Sequence, residues 1–231
     1  MSKFTCNRVL QRCAAGMVLA LTAGCAALLP KPAPQPSFFS LDGARPASAM
    51  QPIVAIGAPT LVVNPPRAAA GFDSQRIIYV REAHKLEYFA RSEWVDTPAR
   101  MLAPLIVSAI ERSGGFRAVV PTPSAAAGDM KLDTEIIQLQ QNFAGPNSRV
   151  QFTLRAYLVD SVTRSVLARR EFDETVAAAS EDPYGGVVAA NRAVQLVLEQ
   201  LARFCADAAA TWRPAGAENA ARGNASNKIE R

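Results

Sequence analysis

Arg149-Val150-Gln151-Phe152-Thr153-Leu154-Arg155-Ala156-Tyr157-Leu158-Val159-Asp160 is a run in which apolar and polar side chains take turns. Val150, Phe152, Leu154, Ala156 and Leu158 alternate with Arg149, Gln151, Thr153 and Arg155. A period of two describes a strand with one buried and one wet face. Antiparallel sheets carry that pattern, whereas parallel sheets are covered on both sides. Two further long strand patterns flank the run, over 131–143 and 165–176. Gly145-Pro146-Asn147 and a tight turn over 161–164 separate the three. Together they read as an antiparallel meander, and its wet face needs no ligand to explain it.

Helical patterns bracket the meander. Downstream, Asp182-Pro183 opens a helix with a capping side chain and a proline in the first turn. Val187, Ala190, Val194, Val197, Leu198, Leu201 and Cys205 mark its apolar stripe, which runs to about Ala210. Upstream, Asp96-Thr97-Pro98 gives the same start signal, and Met101, Leu102, Leu105, Ile106, Ala109 and Ile110 recur at helical spacing. Pro104 inside this run is expected to kink it, because the ring removes a backbone donor and crowds the preceding turn. Gly114-Gly115 stops it. Shorter strands are expected over 38–41, over 53–63 with a bend at Gly57 and Pro59, and over 116–120. A hairpin is expected from 76–81 and 85–89 across Glu82-Ala83-His84. Two one-sided helical stripes beside so many strands give an α+β fold, a mostly antiparallel sheet with two main helices packed on one face.

The N-terminus reads as an address. Lys3, Arg8 and Arg12 precede an apolar run over 13–23 that is too short to span a bilayer. Small residues and a cysteine follow in Leu21-Thr22-Ala23-Gly24-Cys25. This describes a cleaved secretory signal, residues 1–24. It resembles the bacterial lipobox, with Cys25 as the lipidated first residue, although Thr22 stands where Leu is usual. An ordinary signal peptide with an incidental cysteine, or a short membrane anchor, is the alternative. Cleavage would remove three basic residues and no acidic one, lowering the formal net charge from +5 to +2. A basic nucleic-acid face is not expected. Of the four cysteines, Cys6 and Cys13 leave with the signal, Cys25 carries lipid, and Cys205 alone remains, so no internal disulfide can staple the domain. Pro30, Pro32, Pro34 and Pro36 make residues 25–37 an extended tether, reaching about 30 Å at ~3.1 Å per residue. One domain over 38–212 follows, and the polar tail 213–231 has almost nothing to bury.

Catalytic patterns are missing. His84 is the only histidine, so no metal cluster of histidines is expected, and a Ser/His/Asp site would depend on a residue in a hairpin turn. There is no G-x-S-x-G and no phosphate-cradling loop. Asp173-Glu174 and Glu181-Asp182 fit solvated charge and capping better than paired acid/base carboxylates. The expectation is a protein that is not an enzyme, with no catalytic residue and no metal ligand.

One stretch carries family information. Phe72-Asp73-Ser74-Gln75-Arg76-Ile77-Ile78-Tyr79-Val80-Arg81, then Leu86-Glu87-Tyr88, then Trp94-Val95-Asp96-Thr97-Pro98 and Met101-Leu102 resemble the ABC-type transport auxiliary lipoproteins of the paraquat-inducible (PqiC/YmbA-like) kind. Phe38-Phe39-Ser40-Leu41 behind the lipobox is similar to the family's usual start, while Val80 departs from its pattern by separating Tyr79 from Arg81. The likeness of layout runs from Cys25 to about Ala210. It implies a lipoprotein beside an ABC permease, its ATPase and a periplasmic MCE-domain protein, moving lipid between membranes and docking the conduit at the outer membrane. Ala26 rather than Asp after Cys25 favours outer-membrane sorting by resemblance to the lipoprotein sorting rule. The implied cofactor set is empty except for covalent diacylglycerol and an N-acyl chain, such as palmitate, on Cys25. Tyr79, Tyr88 and Trp94 are the candidate partner or lipid contacts, since Trp and Tyr are enriched at hot spots; filling the core is the competing use of such residues. A homo-oligomer is a further candidate partner. The rival readings are a structural or regulatory outer-membrane lipoprotein, such as a cell-wall synthase activator or an assembly factor, and a periplasmic hydrolase built around His84.

Overall fold

The computed structural model describes residues 35–42 and 57–214. The signal 1–24, Cys25, most of the tether, the start of the strand expected from 53 and the tail beyond 214 lie outside the described residues. In chain order the elements are β1 (Ser37–Phe39), β2 (Thr60–Val63), β3 (Arg67–Ala68), β4 (Arg76–Val80), β5 (Glu87–Trp94), α1 (Pro98–Ser113), β6 (Ala118–Pro121), β7 (Met130–Asn142), β8 (Arg149–Asp160), β9 (Val166–Ala177) and α2 (Pro183–Thr211).

The meander organises the sheet. β7, β8 and β9 pair antiparallel along their lengths, from Met130↔Asp160 to Asn142↔Arg149 and from Arg149↔Ala177 to Val159↔Val166. The other edge of β7 is shared. β2, β3 and β4 lie against it one after another, all parallel to it, at Leu61↔Met130, Arg67↔Glu135 and Tyr79↔Gln141. β2 then pairs with β6 in parallel, β4 pairs with β5 antiparallel, and β5 pairs with β1 in parallel. The sheet is therefore mixed, with its longest pairings antiparallel. A register shift between Ile136 and Gln138 lets β7 keep Met130, Leu132 and Ile136, and then Leu139, in the core.

Both helical stripes seat on the same apolar layer. Leu102, Ile106 and Ile110 of α1 and Val194, Val197, Leu201 and Cys205 of α2 are buried with Phe152, Leu154 and Leu158 of β8 in one cluster. Burial of each large apolar side chain contributes about 1.5–3 kcal/mol. Phe172 of β9 meets Phe204 of α2 edge-on at 5.7 Å. At the start of α2, the Asp182 carboxylate accepts from the Gly185 N–H at 2.7 Å. That bond, with Ser180 adding a second, holds the Asp182 carboxyl below its usual range.

Three local expectations change. At α1 the N-cap is Thr97, which makes no side-chain cap bond. Asp96 instead accepts from the Thr97 N–H at 2.7 Å and pairs with Arg100 at 3.2 Å. Pro104, expected to kink α1, lies exposed within one unbroken helix, so the lost donor costs no buried partner. Gly114 closes it in the left-handed region, φ 68°, where glycine has no Cβ to clash. The second hairpin strand runs from Glu87 to Trp94, well past the expected 85–89, because β1 adds to its far half and supplies new backbone partners. Among the described residues, the strand expected over 53–63 is confined to Thr60–Val63, after Gly57 at φ 89°.

Candidate functional site

The candidate contacts Tyr79, Tyr88 and Trp94 all fall on the β4–β5 hairpin, and the hairpin separates them. Register pairs Tyr79 with Glu87 and Ile78 with Tyr88. Neighbours along a strand point to opposite faces, so Tyr79 and Tyr88 look opposite ways. Trp94 pairs with Phe39 of β1 and is only 3% exposed. Its indole is therefore core, and it offers no surface to a partner. Tyr88 is 39% exposed, with the Arg76 guanidinium 4.7 Å above its ring.

Tyr79 belongs to a group that the linear sequence conceals. Its ring lies 4.6 Å from Phe89 and 5.8 Å, edge-on, from Phe143, and Phe89 and Phe143 are 6.4 Å apart. Phe89 joins because it follows Glu87 by two and so shares the face of Tyr79. Phe143 joins because β4 lies parallel to the end of β7, where the Phe143 N–H donates to the Val80 carbonyl at 2.8 Å. The first membership was legible in the strand alternation; the second requires the crossover pairing.

A charged clamp covers this cluster. Arg81 Nε donates to Glu87 Oε2 at 2.8 Å and Arg81 Nη2 to Glu87 Oε1 at 2.5 Å. The same guanidinium lies 5.6 Å from the Tyr79 ring. The hydrogen bond from Arg81 holds the Glu87 carboxyl below its usual range, and Glu87 in turn raises the Arg81 guanidinium above its own. Beside the cluster, at the β7–β8 turn, a cleft of about 440 Å³ is lined by Asn142, Ala144, Gly145, Asn147, Arg149 and Gln151. The arrangement presents aromatic faces, one exposed guanidinium–carboxylate pair and polar amides. Those are recognition groups, suited to docking a protein edge or an amphiphile.

His84 stands in the hairpin turn with φ 67°, exposed, and its neighbours Glu82 and Lys85 pair with each other at 3.5 Å. No serine or aspartate hydrogen-bonds to it among the described residues. Also among the described residues, no group of three or more His, Cys, Asp or Glu is placed to hold a metal ion. No described helix is long and apolar enough to cross a membrane.

A family model described as the ABC-type transport auxiliary lipoprotein component matches residues 39–202, from β1 into the second half of α2. Among solved structures, the chain is similar to a Xanthomonas campestris protein of the DUF330 family, with 25% identity and a TM-score of 0.60 over 68% of this chain and 93% of that one. An uncharacterized protein shares the fold at 12% identity and a TM-score of 0.57, over 74% of this chain and 99% of that one. A Neisseria meningitidis lipoprotein is a more distant likeness, with 13% identity and a TM-score of 0.35 over 62% of this chain and 98% of that one. No curated protein matches the chain.

Proposed function

The chain belongs to the ABC-type transport auxiliary lipoprotein component family, and from that premise we propose that it is a periplasmic lipoprotein, anchored to the outer membrane through Cys25, that docks the conduit of an MCE/ABC-type lipid transport system. The observation that carries the reading is the extent of the family match, which takes in the sheet from the end of β1, all of α1 and about two thirds of α2. The family is one of transport auxiliaries and not of enzymes. The lipobox-like Leu21-Thr22-Ala23-Gly24-Cys25 supplies the anchor, a diacylglycerol and an N-acyl chain on the cysteine, and Ala26 favours outer-membrane sorting. The domain acts by binding and not by catalysis. An MCE-domain protein is the direct partner, and the permease and ATPase of the same system complete the assembly. The face of Tyr79, Phe89 and Phe143 under the Arg81–Glu87 clamp is the docking surface, with Tyr88 as a contact on the reverse face.

A pull-down from membranes of cells carrying the tagged chain, its Cys25→Ser variant and a Tyr79→Ser/Phe143→Ser variant tests this. The wild type should recover an MCE-domain protein, Cys25→Ser should lose outer-membrane fractionation, and the aromatic variant should fractionate normally but recover less partner. Cell-wall synthases in the eluate without an MCE protein would overturn the transport role in favour of a regulatory one.

A further inference from the structure

β9 is the edge of the long meander. It hydrogen-bonds to β8 along one side, and among the described residues no strand pairs with its other side. A strand of 12 residues left open presents about 40 Å of unpaired backbone, which is a template for another strand unless its side chains forbid pairing. The side chains of β9 do not forbid it. They favour one particular occupant.

The two faces of β9 are distinct. Phe172 and Glu174 face α2, where they meet Phe204 and Gln200. Arg169, Glu171 and Asp173 lie on the opposite face, beside Tyr157, Arg155 and Thr153 of β8. Glu171 is neutralised by Arg155 at 2.9 Å. Asp173 accepts from Thr153 at 2.6 Å and Gln151 at 3.3 Å but has no cationic partner, and Arg169 has no ion pair at all among the described residues. An unpaired cation and an unpaired anion thus stand on one face, with Glu171 midway between them.

We propose that this edge pairs with the β9 edge of a second copy of the chain, antiparallel about a two-fold axis through Glu171. A two-fold axis normal to the sheet keeps faces matched, so only registers joining residues on the same face are allowed. Centring on Glu171 places Arg169 against Asp173 of the copy, twice, and Arg170 against Phe172, twice. It also sets exposed Val166 against Val176 and exposed Leu167 against Thr175, and it uses the strand from Val166 to Val176. The two central Glu171 side chains stand opposite each other, each neutralised by its own Arg155. Moving the centre to Arg170 opposes two guanidinium groups that lie over their own Phe172 rings at 5.2 Å but have no ion pair among the described residues, and moving it to Phe172 opposes Glu171 to Asp173 twice. Like charges directly opposite are destabilising, and of these three registers the Glu171 centre is the one whose opposed like charges are each held by a counter-ion, Arg155, so it is selected. This pairing does not depend on the cargo or on the transport reading.

Disulfide trapping of the full chain in membranes tests it, with the parent chain as background. Glu171→Cys should self-crosslink to a covalent dimer, whereas Thr175→Cys alone should yield at least tenfold less. Thr175→Cys co-expressed with Leu167→Cys should crosslink again, which shows that both variants fold and meet. Adding Arg169→Asp to Glu171→Cys should abolish the dimer, and adding Asp173→Arg as well should restore it. Equal trapping at positions 171 and 175 would overturn the register. Trapping of a product of another mass, or no trapping with any of these variants, would overturn the second copy as the occupant.

Discussion

Gln141 sits where β7 passes beneath the first turn of α2, and it is 2% exposed. Its Nε2 donates to Ser148 Oγ at 2.8 Å, while its Oε1 is pressed against Gly186 and finds no hydrogen-bond partner. A Cβ at position 186 would overlap the Gln141 amide. Gly186→Ala should therefore destabilise the fold by about 1–3 kcal/mol through overpacking, and Gly186→Ala combined with Gln141→Ala should recover part of that loss. Urea unfolding of both variants checks it, and equal losses would show that the contact is unimportant. Asp160 carries the second residue-level prediction. It is 5% exposed and accepts from the Thr163 N–H at 2.7 Å, the Val162 N–H at 3.0 Å, the Thr163 hydroxyl at 3.0 Å and Trp212 Nε1 at 3.1 Å. The Thr163 N–H first, then the Trp212 indole, hold its carboxyl below the usual range. A carboxyl lowered in the folded chain contributes stability that is fully present above its unfolded value, about 4, and is lost as pH falls through the lowered one. Asp160→Asn should cost about 1–3 kcal/mol near neutrality, since the amide keeps one acceptor oxygen for the turn but its nitrogen cannot accept the bond from Trp212. It should also flatten the fall in melting temperature below about pH 4. An unchanged acid slope would show that another group sets it. The turn over 161–164 was legible in the sequence, but the bond from Trp212 was not, because 52 residues separate the two.

At the scale of elements, the stripe of α2 and the alternation of β8 were readable because each is local and strictly periodic. Val187, Ala190, Val194, Val197, Leu198, Leu201 and Cys205 are all buried in the cluster that holds Val150, Phe152, Leu154, Ala156 and Leu158. The start of α1 falls at Asp96-Thr97-Pro98 as expected, but without a side-chain cap bond: Thr97 is the N-cap, and the Asp96 carboxylate closes on the adjacent Thr97 N–H and on Arg100. Pro104 makes α1 an informative test. It lies on the exposed side of a helix that continues through it, leaving one carbonyl of the preceding turn without its ladder partner. Pro104→Ala should restore that bond and raise stability by about 1–3 kcal/mol, less than the full proline penalty because the groove beside Val63 and Pro121 is shaped around the ring. A denaturant midpoint that does not move, or falls, would mean that the groove contact outweighs the bond.

Across the whole molecule, no disulfide among the described residues staples the apolar layer between sheet and helices. Cys205 is fully buried in it, and burial pushes its thiol up to about 12. In the processed chain it should resist thiol reagents until the domain unfolds, and a reducing agent should leave the melting temperature unchanged; labelling of the native domain at Cys205 would contradict the packing. The sequence by itself determined the α+β class, the meander, both helix starts and the family, because these rest on local periodicity, end signals and the order of motifs. Only the tertiary structure decided which candidate aromatics share a surface. Parallel addition of β4 to β7 brings Phe143 to Tyr79, and parallel addition of β1 to β5 draws Trp94 into the core. Alternation along one strand states which side chains share a face, but which strand lies alongside is settled by backbone hydrogen bonds between segments far apart in the chain.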